Sequence, residues 1–154
     1  MATASAGLLM YDDQGELSIF LVHPGGPYFK NKDEGWWTIP KGLIEVDEDP
    51  LSTARREFYE ETNIQSYPPF IQLGQIIQKS GKTVYAWAFA GDSRQEYVLQ
   101  SNTFSIEWPP KSGVLRDFPE IDQAQWFSWD TALLKIMPAQ IPLLQRLKEH
   151  LLSP

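Results

Sequence analysis

The strongest structural constraint in this sequence is a helix start at Asp49-Pro50. Aspartate accepts hydrogen bonds from the unpaired N–H groups of a first turn, and proline fits the first helical position because it has no N–H to leave unpaired. The spacing of Leu51, Ala54 and Phe58 predicts that the helix runs over residues 50–62 and buries one apolar face. The same periodicity predicts a C-terminal helix over 139–152 and a shorter one over 131–136.

Strand-like runs, rich in β-branched, aromatic and aliphatic residues, lie on both sides of this helix. They cover residues 6–11, 17–22, 36–39, 71–78, 83–90 and 124–129, and turn formers at 12–15 and 80–81 predict two hairpins. Periodicity fails over 96–120, where prolines and a glycine predict a long surface loop. Hairpins on either side of a helix indicate an α+β fold, a layered α/β/α sandwich, in a single domain over 1–154.

The composition leaves carboxylate side chains as the main candidates for catalytic groups. The sequence has 13 Lys+Arg against 20 Asp+Glu, a formal charge of −7, which gives no general attraction to a nucleic-acid polymer. It has no cysteine, which excludes disulfides, thiol nucleophiles and cysteine-based zinc sites, and only two histidines. Neither a membrane span nor a signal peptide is indicated, so we expect a cytoplasmic protein.

Acidic side chains crowd the predicted central helix and the segment before it. At about 100° per residue, Glu57, Glu60 and Glu61 share one arc of the helix. More acids precede them, and two arginines offset part of the charge: Glu45, Asp47, Glu48, Asp49, Arg55 and Arg56. The pattern has two interpretations: a solvated, salt-bridged acidic face, or a site for a hard divalent cation that takes oxygen ligands.

The wider spacing of these residues resembles the Nudix box, G-x5-E-x7-R-E-U-x-E-E-x-G-U, where U is bulky and apolar. Here the segment GLIEVDEDPLSTARREFYEETNI, from Gly42 to Ile64, covers 23 of the 154 residues and departs from the pattern only at Asn63, where the family has glycine. That glycine is typical of a left-handed helix cap. Asparagine tolerates this backbone best among the other residues, so we expect the cap to survive.

The resemblance implies a Nudix-like sandwich with a mixed sheet that carries the box loop and helix. It also implies a metal-dependent hydrolase that cuts the pyrophosphate of a nucleoside diphosphate linked to another group, by attack of water on phosphorus. On matching positions, Mg²⁺ or Mn²⁺ would be held by Glu57, Glu60, Glu61 and the carbonyl of Gly42. Glu48 and Arg56 complete the catalytic set, with Arg56 holding Glu48 or Glu60 in place. The general base stays open among Glu60, Glu61 and the loop residue Glu120.

Other residues are candidates for contact with the substrate. Lys41 ends a W-x-x-P-K-G lead-in that is frequent in the family and could meet phosphates. A nucleobase platform is expected among Tyr28, Phe29, Trp36 and Trp37, with Tyr28 and Trp37 as first choices. His23 is interpreted as a satisfied polar group rather than as part of the pocket.

The expected partner is a small nucleotide or diphosphate compound, with no nucleic-acid polymer and no membrane; the oligomeric state stays open. Within the family, the small size and the P-K-G lead-in resemble hydrolases of dinucleoside polyphosphates and nucleoside triphosphates more than the larger ADP-ribose-type members. The alternative is a catalytically silent Nudix-fold module that binds a nucleotide or a protein.

Overall fold

The computed structural model describes residues 4–153, which form eight strands and three α-helices. The strands are β1 (Ala4–Asp12), β2 (Ser18–Pro24), β3 (Lys41–Leu43), β4 (Ile71–Ile77), β5 (Thr83–Ala90), β6 (Thr103–Glu107), β7 (Leu115–Pro119) and β8 (Ile121–Ser128). The helices are α1 (Pro50–Thr62), α2 (Trp129–Lys135) and α3 (Ile141–Leu152), the last preceded by a 3₁₀ turn at Pro138–Gln140.

The main sheet is mixed, in the order β4-β5-β1-β2-β8, and β3 pairs with β1 beyond the end of the β2 pairing. Strands β1 and β5 run parallel from the Ala4–Thr83 pair to the Tyr11–Ala90 pair, and the other pairings are antiparallel. Both predicted hairpins, β1–β2 and β4–β5, are confirmed. Because β1 is the central strand, side chains that alternate along it reach both faces of the sheet.

The helices form layers on opposite faces of the sheet, and one apolar cluster lies between the sheet and the helices on each face. One face carries Leu8, Met10 and Phe20 against Ala54 and Phe58 of α1. The other face carries a second cluster, which includes Leu9, Leu21, Ala132 of α2 and Leu143, Leu144 and Leu147 of α3. The predicted α/β/α sandwich is therefore confirmed, with α1 alone on its face.

The structure corrects two predicted segments. Residues 36–39 are not a strand, because only Trp37 and Thr38 form isolated bridges, to Ile136 and Val22, before the chain turns through Pro40 into the short strand β3. Residues 96–120 are not a structureless loop, because they contain the separate two-stranded sheet β6–β7, paired from Thr103–Pro119 to Glu107–Leu115.

Smaller differences concern the C-terminal helices. The short helix α2 begins at Trp129, two residues earlier than predicted, because Ser128 caps it by accepting from the N–H of Thr131. The last helix begins at Ile141 rather than 139, since residues 138–140 form a tighter 3₁₀ turn. Within residues 4–153, no helix combines the length and the apolar character needed to cross a membrane.

Candidate active site

Both ends of α1 are fixed as the sequence predicts. Asp49 accepts hydrogen bonds from the backbone N–H (3.1 Å) and the hydroxyl (2.6 Å) of Ser52. At the other end Asn63 adopts the left-handed conformation, φ 65° and ψ 22°, and its N–H donates to the carbonyl of Tyr59 at 2.7 Å. Its side-chain amide also donates to the carbonyl of Val98 at 3.2 Å. Asparagine therefore keeps the cap and ties it to a loop, which glycine could not do.

Arg56 binds three of the box carboxylates at once. Its Nε and Nη2 donate to both oxygens of Glu48 at 2.8 and 2.9 Å. Its Nη1 donates to Glu57 at 2.9 Å and to Glu60 at 3.1 Å. The sequence analysis anticipated Glu48 or Glu60 as partners, and the structure shows both, with Glu57 in addition.

The same contacts fix the charge of Glu48. Hydrogen bonds from Arg56 and from the Thr53 hydroxyl (2.7 Å) lower the pKa of Glu48 to about 2. The pKa of Arg56 is raised, chiefly by its bonds to Glu48. Because a bidentate pair of this kind fixes orientation as well as charge, Arg56 and Glu48 act as a brace for the acidic face of α1.

Glycine at position 42 leaves the space that the Glu57 carboxylate occupies. Gly42 pairs with Ala6 where β3 meets β1. A Cβ atom on Gly42 would come closer than 3.0 Å to all three atoms of the Glu57 carboxylate group. Burial raises the pKa of Glu57, while Arg56 acts in the opposite direction. The glycine of the motif is therefore required by this side chain and not by a left-handed backbone.

Glu61 and Glu120 lie where a negative charge is disfavoured by burial and by neighbouring carboxylates. Glu61 is only 6% exposed. The pKa of Glu61 is raised to about 9, chiefly by burial and then by the neighbouring Glu57 and Glu120, while Lys41 acts to lower it. Burial also raises the pKa of Glu120, with Glu57 and Glu60 as further causes. Glu120 lies between β7 and β8, so the structure brings this loop residue to the acidic face of α1.

These carboxylates suit a hard divalent cation in chemistry and charge. Carboxylate oxygens are the ligands that Mg²⁺ and Mn²⁺ prefer, and the site has surplus negative charge beside a buried glutamate. In residues 4–153, however, no three His, Cys, Asp or Glu side chains already converge in a metal-binding arrangement. The structure gives the reason, since Nη1 of Arg56 donates to oxygens of both Glu57 and Glu60.

Lys41 joins the acidic cluster to a large cavity. Burial lowers the pKa of the Lys41 ammonium, while the nearby Glu61 and Glu57 raise it. Lys41 also lines a cavity of about 680 Å³, together with Trp36, Gln78 and Met137. We refer to this space as the Lys41 cavity. Its aromatic and aliphatic walls lie directly beside a cation, an arrangement suited to a flat ring with an attached phosphate.

Trp37 and His23 belong to the core. Trp37 is 4% exposed and its indole N–H donates to Asp33 at 2.9 Å, so its faces are not open to a base. The interpretation of Trp37 as a stacking platform is therefore wrong, because the ring fills the core. His23 lies against it, with Nδ1 2.7 Å from Asp122 and Nε2 2.6 Å from the carbonyl of Lys32. This confirms that His23 is a satisfied polar group.

The β6–β7 hairpin is attached to the acidic cluster at its base. The N–H of Asn102 donates to the carbonyl of Glu60 at 3.2 Å, and the N–H of Glu120 donates to the carbonyl of Asn102 at 2.8 Å. The carbonyl of Glu120 in turn accepts from the N–H of Gly25 at 2.8 Å. The hairpin and the loop after β2 therefore meet at Glu120. Sequence analysis missed the hairpin and its Trp108; the alternation of polar and apolar residues over 103–107 was the available signal.

Comparison with known proteins gives one family-model match and several curated relatives, among them an octanoyltransferase of Myxococcus xanthus, 30% identical over 103 residues (66% of this chain, 25% of the relative). A family model described as NUDIX domain matches residues 1–147. The chain is 33% identical over 67 residues to an RNA pyrophosphohydrolase of Bartonella henselae (40% of this chain, 36% of the relative). It is 33% identical over 79 residues to the asymmetrical bis(5'-nucleosyl)-tetraphosphatase of Rattus norvegicus (47% and 54%). Across the curated relatives that it matches, the chain spans 25% to 54% of their length.

A solved structure shows the same fold at low sequence identity. The NUDIX domain of Shewanella oneidensis NrtR, complexed with ADP ribose, superposes with a TM-score of 0.69 over 98% of this chain and 89% of that one, at 16% identity.

Proposed function

The chain belongs to the NUDIX domain family, and we propose that it is a divalent-cation-dependent hydrolase of the phosphoanhydride bond in a nucleoside diphosphate linked to a second group. The observation that carries this proposal is the acidic cluster itself. Glu57 and Glu120 raise the pKa of Glu61, and Glu57 and Glu60 raise the pKa of Glu120, at a partly buried site. A cluster with that surplus of charge gains stability from a cation and a phosphate chain.

The residues divide into ligands and supports. Glu57, Glu60, Glu61 and the carbonyl of Gly42 would hold Mg²⁺ or Mn²⁺. When bound there, such an ion supplies charge to neutralise the diphosphate and lowers the pKa of the attacking water. Arg56 and Glu48 orient the ligands, and Gly42 leaves room for Glu57.

Two carboxylates are candidates to accept the proton of the attacking water. Both oxygens of Glu60 accept from Nη1 of Arg56, at 3.1 and 3.3 Å. We therefore assign proton acceptance to Glu61 or Glu120, whose pKa values are raised by burial and by neighbouring carboxylates. A cation bound beside them would favour the ionised form that a base needs, and their buried setting would strengthen their affinity for a proton.

We further propose that the substrate is a dinucleoside polyphosphate or a nucleoside triphosphate, with one base in the Lys41 cavity. Trp36, 37% exposed, supplies an aromatic surface there, and Lys41 lies between that surface and the glutamates. The name of the rat relative, a bis(5'-nucleosyl)-tetraphosphatase, supports the choice of dinucleoside compounds.

The test is release of phosphate or mononucleotides from dinucleoside polyphosphates, nucleotide sugars and nucleoside triphosphates, with Mg²⁺, with Mn²⁺ and with chelator. We expect cation-dependent turnover that falls by about 10²-fold or more in Glu57→Gln and Glu61→Gln. Glu149→Gln on α3 is the matched control, because this exposed glutamate lies outside the cluster. Full activity in both cluster variants would show that the ligands are misassigned, and no turnover of any compound would favour the silent module.

A further inference from the structure

An exposed and a half-buried aromatic side chain meet at a surface that the proposed chemistry does not use. Tyr28, in the loop after β2, is 56% exposed. Its ring packs against the half-buried Trp108 at the tip of the β6–β7 hairpin, with centroids 5.3 Å apart and an interplanar angle of 82°. The N–H of Trp108 donates to the carbonyl of Val114 at 2.9 Å, which closes the tip. An edge-to-face pair leaves ring surface open for a third ring.

The loop and the hairpin that carry this pair are fixed to the acidic cluster. Gly25, three residues before Tyr28, donates its N–H to the carbonyl of Glu120 at 2.8 Å. Gly26, with φ +96°, lies against the ring of Phe104 in β6, where a Cβ would come within 2.7 Å of Cζ. Three residues of chain span at most about 10 Å. The Tyr28–Trp108 pair is thus within reach of a nucleoside whose phosphates lie at Glu120.

Two separate aromatic surfaces are therefore connected to one acidic cluster. The Lys41 cavity, with Trp36, lies on the side of β3 and is joined to Glu61 through Lys41. The Tyr28–Trp108 pair is carried by the loop and the hairpin that are joined to the cluster through Glu120. A compound with a base at each end of a phosphate chain can contact both surfaces at once, whereas a mononucleotide can contact only one.

We propose that Tyr28 and Trp108 stack on the second nucleobase of a dinucleoside polyphosphate and so determine the preference for two-base over one-base substrates. This inference rests on the proposed function, because it assumes that the phosphate chain lies at the acidic cluster. Stacking needs only the face of a base, so the pair selects for the presence of a second base and not for its identity.

The experiment measures equilibrium binding by calorimetry, using methylene-bridged analogues that cannot be hydrolysed: one dinucleoside tetraphosphate and one nucleoside triphosphate. We expect Tyr28→Ala and Trp108→Ala each to weaken binding of the two-base analogue by about 5- to 150-fold, the range for loss of one stacking contact. Binding of the one-base analogue should change by less than about twofold. Tyr28→Phe and Trp108→Phe should keep most of the affinity, and Trp36→Ala should weaken both analogues.

The control is Tyr67→Ala, which removes an equally exposed tyrosine (68%) from a different surface and should leave both affinities unchanged. Thermal melting of each variant shows whether a loss of affinity comes from destabilisation of the β6–β7 hairpin and not from the loss of a stacking contact. Equal losses for both analogues, or no loss for either in a folded variant, would overturn the inference. If wild type binds the two-base analogue with this pattern but hydrolyses nothing, the proposed function fails while the inference stands.

Discussion

Replacing Gly42 by alanine tests the acidic cluster through one contact. The added methyl would lie closer than 3.0 Å to every atom of the Glu57 carboxylate group, where ordinary contacts are 3.4–4 Å. Because the backbone of Gly42 lies outside the left-handed region, alanine adds no backbone strain of its own. The side chain that must move is Glu57, and the shift is roughly 1 Å, a displacement that can cost about 10²-fold in rate.

We expect Gly42→Ala to lower kcat of the cation-dependent hydrolysis by about 10²-fold and to change the thermal midpoint little, since a flexible side chain gives way. The 2.9 Å bond from Arg56 to Glu57 should be lost with it. The assay is steady-state hydrolysis over a Mg²⁺ titration, accompanied by thermal melting.

A double-mutant cycle makes this reasoning refutable. If the methyl acts only by displacing Glu57, then Gly42→Ala should have almost no further effect in a Glu57→Ala background, where the carboxylate is absent. Gly15→Ala is the matched control, because a Cβ at Gly15, in the turn after β1, meets no atom within 4 Å. Additive losses in the cycle, or wild-type activity in Gly42→Ala, would refute the role assigned to this contact.

Three further predictions concern the cap, a buried carboxylate and the brace. Asn63→Ala should lower the free energy of unfolding in urea by about 1–2 kcal/mol, because alanine resists the left-handed conformation, whereas Asn63→Gly should keep most of it; equal losses would contradict this account. Asp12 accepts from the N–H (2.7 Å) and hydroxyl (2.8 Å) of Ser93, and these bonds lower its pKa below 3.8. Asp12→Ala should therefore cost about 1–3 kcal/mol at pH 7, and the difference from wild type should shrink below pH 3.8 as Asp12 protonates in the folded protein; a constant difference would exclude the charge as its source. Arg56→Lys should lower kcat at least about tenfold in steady-state kinetics, because one ammonium cannot hold Glu48 bidentately and also reach Glu57; unchanged kcat would show that the brace is dispensable.

Local signals in the sequence were sufficient for the box helix and its caps. Asp49 and Pro50 fix its start by hydrogen bonding and by a missing N–H, and Asn63 fixes its end by a backbone conformation that few residues accept. These effects act within one helical turn, so the helix ends can be predicted from the local sequence without knowledge of the rest of the fold. Two of the three carboxylate partners of Arg56 were also anticipated, because Glu60 lies one turn away and Glu48 shares the motif, whereas Glu57 was not.

Long-range contacts were the part that the sequence could not supply. A tryptophan such as Trp37 looks the same in the sequence whether it stacks on a ligand or fills the core. Its packing against His23 and its hydrogen bond to Asp33, which only the structure shows, identify it as a core residue. Strand β3 is three residues long and exists because β1 extends beyond β2, a tertiary cause with no local pattern. The hairpin β6–β7 was obscured by the prolines and glycine at its turn, which break the alternation on either side.

The hairpin β6–β7 also bears on how proteins with this fold diverge. Strands β6 and β7 pair only with each other and form a sheet separate from the main one. The strands of the main sheet would therefore keep their own hydrogen bonds if residues 103–119 were exchanged for a hairpin of another length or composition. Asn102 and Glu120, which anchor it, lie just outside that stretch. On the function proposed above, grafting at these two points would give chains that keep the acidic cluster and differ in the aromatic surface beside it.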